Sequence, residues 1–125
     1  MTFDQAHRVI KRGVIATLEQ AIPDQIKPNA ANEFGWTLLM LAALEGKTKI
    51  GALLIERGAD VTLLNDLGES ALSIAAHKGH LNFVQLLKAK GASGDVRPHG
   101  QALEDWLRSS SGLPPEKIDA IMKAV

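Results

Sequence analysis

Four histidines, a Gly-Lys-Thr triplet, an acidic pair and a short serine run are the residues whose types and spacing invite chemistry. His77 and His80 stand three apart, a spacing that could bring two imidazoles to one metal ion. Gly79 lies between them and breaks the helix that would align the pair, and no carboxylate falls in a matching local pattern. His7 and His99 are isolated along the chain and are expected at the surface. Gly46-Lys47-Thr48 has the ending of a phosphate-binding loop, but the position of that motif's first glycine is Leu41, and no strand precedes it. Glu104 and Asp105 are adjacent, so on a helix their carboxylates diverge instead of converging on a substrate. Ser109-Ser110-Ser111 has no His or Asp in a nucleophile's register. The expectation is a chain without catalysis, cofactor or metal.

Composition narrows the rest. The 125 residues suit one domain, and 46% are apolar, an ordinary globular share. Lys and Arg number 14 against 14 Asp and Glu, so the whole-chain field is weak and phosphate-driven nucleic-acid binding is disfavoured. With no cysteine, disulfides, thiolate catalysis and Cys-based zinc sites are excluded. Met1-Thr2-Phe3-Asp4-Gln5 is not an export signal. The longest apolar run, Leu38 to Leu44, falls far short of the roughly 18 residues a membrane span needs. A cytoplasmic chain with no membrane partner is expected.

The elements that must position any site come from an internal repeat. Residues 32–64 superpose on 65–97 at an offset of about 33 residues. Asn32 meets Asn65, Gly35 meets Gly68, Leu39 meets Leu72, and Ala42-Ala43 meets Ala75-Ala76. Gly46 then meets Gly79, Leu53-Leu54 meets Leu86-Leu87, and Gly58-Ala59 meets Gly91-Ala92. Each unit reads as a turn, a short inner helix capped by Thr37 or Ser70, a glycine stop, and an outer helix. The outer helices carry Ile50, Leu53 and Leu54, or Phe83, Leu86 and Leu87, on one face.

Two units cannot bury both of their faces, so the flanks are expected to close the stack. In residues 1–31, Thr2 to Gln5 fits a capping box, and Ala6, Val9 and Ile10 form a stripe. Val14, Leu18, Ala21 and Ile22 are assigned to a second helix there. In residues 98–125, Leu103, Trp106 and Leu107 predict an inner helix, and Ser109 to Gly112 a turn. Pro114-Pro115 then opens a last helix bearing Ile118, Ile121, Met122 and Val125. The expected fold is an all-α solenoid of about four helix-turn-helix units, two central repeats between degenerate caps.

The central pair resembles the ankyrin-repeat family. Gly35-Trp36-Thr37-Leu38-Leu39-Met40-Leu41-Ala42-Ala43, Gly46, Leu53-Leu54 and Gly58-Ala59-Asp60-Val61 carry the likeness. Ser70 to Ala76 with Gly79-His80 repeats it. The family's Thr-Pro-Leu-His is replaced by Thr37-Leu38-Leu39-Met40 and by Ser70-Ala71-Leu72-Ser73, so its histidine network between repeats is expected to be absent. Gln25-Ile26 stands where Gly-Ala would fall, and the spacing changes after Gly100.

The resemblance implies a protein partner bound by turn tips and the exposed face of the inner helices. Carried over by position, that strip comprises Glu33, Phe34, Trp36, Leu44, Glu45 and Arg57, then Asp66, Leu67, Glu69, His77, Lys78 and Lys90. Phe34, Trp36, Leu44 and Leu67 are its apolar anchors. By analogy of fold, a small binder of this kind acts as inhibitor, adaptor or immunity-type antagonist. The rival readings are a weak homodimer built on the same tips, a metal enzyme using His77 and His80, and nucleic-acid binding at Lys78, Lys88, Lys90 and Arg97. Neutral net charge and the lack of an aromatic stacking platform oppose the last.

Overall fold

Three inner helices begin at hydroxyl side chains that occupy free amide groups. Thr2 accepts from the Gln5 amide at 3.1 Å, Thr37 from Met40 at 3.2 Å and Ser70 from Ser73 at 3.1 Å. The cap amides donate back to Gln5 Oε1, Met40 Sδ and Ser73 Oγ, which closes each box. The computed structural model describes residues 1–125. It holds α1 (Phe3–Arg12), α2 (Ile15–Ala21), α3 (Leu38–Glu45), α4 (Thr48–Glu56), α5 (Ala71–His77), α6 (Leu81–Ala89), α7 (Leu103–Ser110) and α8 (Pro115–Ala124). A single 3₁₀ turn, Pro98–Gly100, precedes α7.

The helices form four antiparallel pairs. Inner helices α1, α3, α5 and α7 pack in that order, and outer helices α2, α4, α6 and α8 form a second row behind them. Ala42, Ala43, Ala75 and Ala76 are fully buried, and their small size lets the inner helices approach closely. One continuous apolar core runs from Ala6 to Ile121. No helix is long and apolar enough to cross a membrane.

The 33-residue register extends beyond the two central units. Gly13, Gly46, Gly79 and Gly112 share it, and all four have left-handed backbone. The front turn obeys it too: the Ile26 amide donates to the Ala21 carbonyl, as Ala59 does to Leu54 and Ala92 to Leu87. Buried Ile26 thus fills the place that alanine holds in the central units. Two flank assignments are corrected. Val14 lies before α2 and is exposed, because the chain turns at Gly13. Helix α7 continues to Ser110, since Ser109 and Ser110 both donate to the Trp106 carbonyl and stay in register with the helix.

Neighbouring units are tied by hydrogen bonds that need no Thr-Pro-Leu-His histidine. The Asp66 amide donates to the Phe34 carbonyl and the His99 amide to that of Leu67, linking successive turns. His80 Nε2 lies 3.2 Å from the Leu44 carbonyl oxygen, bonding α3's end to the next unit. The family histidine is absent, but cross-unit bonding is not.

His80 also explains one glycine. Gly46 has φ +67°, and a Cβ there would stand 2.8–3.0 Å from the His80 ring. Gly46→Ala therefore combines a strained backbone with an overlap. A loss of about 1–3 kcal/mol is expected in urea unfolding, partly recovered when His80 is also replaced by Ala. An unchanged midpoint would contradict this packing.

Candidate functional site

The sequence-predicted strip is set by two asparagines in the same register. Asn32 Oδ1 accepts from the Phe34 and Trp36 amides, and Asn65 Oδ1 from those of Leu67 and Glu69, each at 3.0 Å. These bonds fold the turns and leave their tips outward. Phe34 is 59% and Leu67 52% exposed, both unusually high for large apolar side chains. Trp36 and Leu44 are half-buried against the core. Glu33 and Asp66 are exposed beside the tips.

Two cavities lie between these tips and the inner helices, and both are bounded by Trp36 and Leu44. The first, about 370 Å³, adds Glu69, Ile74, His77, Lys78, His99, Trp106 and Ser110. The second, about 270 Å³, adds Phe3, Asp4, His7, Asn32, Phe34 and Leu41. Together they make one groove crossing all four units. Of the twelve strip residues, Phe34, Trp36, Leu44, Glu69, His77 and Lys78 face it.

The other six are spread more widely. Glu33, Asp66 and Leu67 flank the groove at the tips, and Glu45 ends α3. Arg57 caps α4 and points away: its Nη1 donates to the Glu19 and Ile22 carbonyls at 3.0 and 2.6 Å, holding the end of α2. Lys90 follows α6 on the outer row.

Glu69 is not the solvated tip acid its position suggests. It is 8% exposed, with Oε1 accepting from the Asn65 amide group at 2.7 Å and Oε2 lying 3.1 Å from His99 Nε2. His99 is therefore neither isolated nor idle. It stacks on Trp106 at 5.4 Å between ring centroids and has φ 55°, the one non-glycine residue in the left-handed region. His77 stacks on the same indole at 4.3 Å, and its Nε2 lies 3.0 Å from Ser110 Oγ. Burial first, then the adjacent Lys78 charge, push His77 below the usual imidazole range against the pull of Glu69.

His99 is exposed, as the sequence suggests, whereas His7 is half-buried. Its Nε2 is buried and has no hydrogen-bond partner. His77 and His80 engage different partners and do not converge, and no group of three or more His, Asp or Glu side chains is gathered where a metal ion could be held. Gly46-Lys47-Thr48 forms the turn from α3 into α4.

His99, Trp106 and Ser110 were the groove residues hardest to foresee. Trp106 stands 33 residues after Ser73, and Ser110 the same distance after His77, so the repeat register was the available signal.

Comparison with known proteins agrees with this architecture. The family model for ankyrin repeats (three copies) matches residues 6–98. Mouse ankyrin repeat domain-containing protein 17 is 46% identical over 65 residues, 50% of this chain and 2% of that protein. Mouse ankyrin repeat family A protein 2 is 37% identical over 75 residues, covering 60% of this chain and 24% of the relative. The NAD-capped RNA hydrolase NUDT12 of Macaca fascicularis is 41% identical over 70 residues, 56% of this chain and 15% of that enzyme. The chain thus spans only a small part of each of these relatives. Repeat register, stacked helix pairs and a match over most of the length lead to one conclusion: the chain belongs to the ankyrin-repeat family, an all-α, protein-binding scaffold.

Proposed function

We propose that this chain binds a partner protein in the groove bounded by Phe34, Trp36 and Leu44 and flanked by Leu67, and acts by occupying or masking it, as an inhibitor, adaptor or antagonist does. The observation that carries the reading is the exposure of Phe34 and Leu67 on adjacent tips beside a groove floored by apolar side chains. Exposed aromatic and aliphatic anchors around a partly desolvated pocket are the usual energetic centre of an interface. Glu33, Glu45, Asp66 and Lys78 supply a mixed-charge rim, which suits a protein surface better than a uniformly charged polymer. Arg57 and Lys90 belong to the periphery of the proposed surface.

The test is capture of partner from native lysate by the unmodified chain and by a Phe34→Ala/Trp36→Ala/Leu67→Ala variant. Loss of about tenfold or more in capture, with helicity unchanged by circular dichroism, is expected. Equal recovery by both chains would move the site off this groove. A second reading rests on the same exposed tips: a symmetric homodimer formed through Phe34 and Leu67. Mass that rises with concentration in light scattering, and falls back in the triple variant, would favour it.

A further inference from the structure

We infer that the groove selects an extended peptide segment that carries a carboxylate side chain near a large apolar one. This rests on the groove reading above and adds the chemistry of the occupant. Few charged groups are left free in the 370 Å³ cavity. Its one carboxylate, Glu69, has both oxygens engaged, by Asn65 and by His99. Lys78 is exposed and takes part in none of the molecule's three ion pairs. The one charged group left unpaired there is therefore Lys78, a cation, and the side chain complementary to it is an acid.

The two imidazoles deepen that preference. Ser110 Oγ donates to the Trp106 carbonyl at 2.7 Å, so it accepts from His77 Nε2. His99 Nε2 likewise donates to Glu69, which can only accept. In each ring Nδ1 is left without a partner, an acceptor while the ring is neutral and a donor once it is protonated. The charged and titratable groups facing the cavity are Glu69 from the preceding turn, Lys78 beside His77, and His99 from the 3₁₀ turn; the turn before α3 contributes Trp36, α3 Leu44, and α7 Trp106 and Ser110. Acidification thus adds a donor at His77 Nδ1 beside Lys78 while an Asp or Glu of the peptide stays ionised. Burial resists protonation of the empty groove at His77, and a bound carboxylate relieves that resistance.

The apolar neighbour fits the adjoining cavity, where Phe3, Phe34, Trp36, Leu41 and Leu44 form the apolar wall and Asp4, His7 and Asn32 the polar one. Inner helices packed about 8–10 Å apart and a strand rise of about 3.3 Å per residue put the two side chains about three residues apart.

The test is selection of a phage-displayed library of random twelve-residue peptides on the intact chain, followed by fluorescence titration of the enriched sequences as synthetic peptides. Sequences pairing Asp or Glu with a large apolar residue are expected. Their affinity should fall about tenfold in Lys78→Glu, a surface change, and rise about threefold to tenfold from pH 7.5 to pH 5.5. Enriched peptides that are basic or uncharged, yet lost by the Phe34/Trp36/Leu67 triple variant, would overturn the acidic preference and leave the groove reading standing. The same holds for acidic peptides indifferent to Lys78→Glu and to pH. No enrichment, or peptides bound equally by the triple variant, would overturn both.

Discussion

Phe83→Ala is expected to lower the unfolding free energy by about 3–5 kcal/mol, out of the roughly 5–15 kcal/mol available to a domain of this size. Phe83 is fully buried in α6, which packs against α4. Its ring lies on Gly51 so closely that a Cβ at that glycine would come within 2.6–2.7 Å of Phe83 Cζ and Cε2. A glycine inside a helix costs about 1 kcal/mol relative to alanine, and here its bare backbone is the surface on which the ring rests. Truncation leaves a cavity that a backbone cannot collapse to fill. In a stack where each unit touches only its neighbours, this is the central interface of the outer row. The loss is therefore shared by both halves of the molecule. Urea unfolding followed by far-ultraviolet circular dichroism should show an earlier transition, and a shallower one if the halves separate. A change below about 1 kcal/mol would mean that the ring contributes little to the core.

What the sequence revealed about this molecule and what it concealed follow from the range of the interactions involved. Helix pairs were legible because a helix face is written at three-to-four-residue spacing and its cap lies within the same turn, as Thr37 and Met40 show. The central repeats were legible because Gly46 and Gly79, under His80 and Leu113, admit little else. Gly13 and Gly112 carried the same register into the flanks, where α1 and α2 and then α7 and α8 complete the stack. The polar side of the groove was not legible. Glu69 meets Asn65 four residues away but His99 thirty residues away, and the third tip is a 3₁₀ turn in which Pro98 holds the register position of Asn32 and Asn65. An acid at a turn tip reads as solvated unless its distant partner is known. Arg57 was misleading for the same reason: its hydrogen bonds reach back to Glu19 and Ile22, so its guanidinium braces the outer row.

Trp106→Ala should cost a comparable amount by residue type, about 3–5 kcal/mol, yet reach the molecule differently. Trp106 is 6% exposed, on α7 in the last unit, with His77 and His99 stacked on its indole. Helix α7 meets the rest of the stack through α5 and the 3₁₀ turn, and α8 through α6. Removing the indole takes away the surface that holds the His99 ring, and with it the stack that steadies the Glu69–His99 bond closing this end of the groove. Because terminal units in a solenoid have one neighbour instead of two, the loss falls on the end before it falls on the whole. Amide exchange should quicken through residues 103–124 while α3 to α6 keep most of their protection. Intrinsic fluorescence would then report Trp36 alone, the one remaining indole. If exchange quickened equally in α3 and α4, the four units would be unfolding as one, and the last pair would be an integral part of the core. If α7 and α8 loosened alone, the far wall of the groove would be its least stable part, held in place by one indole between two histidines.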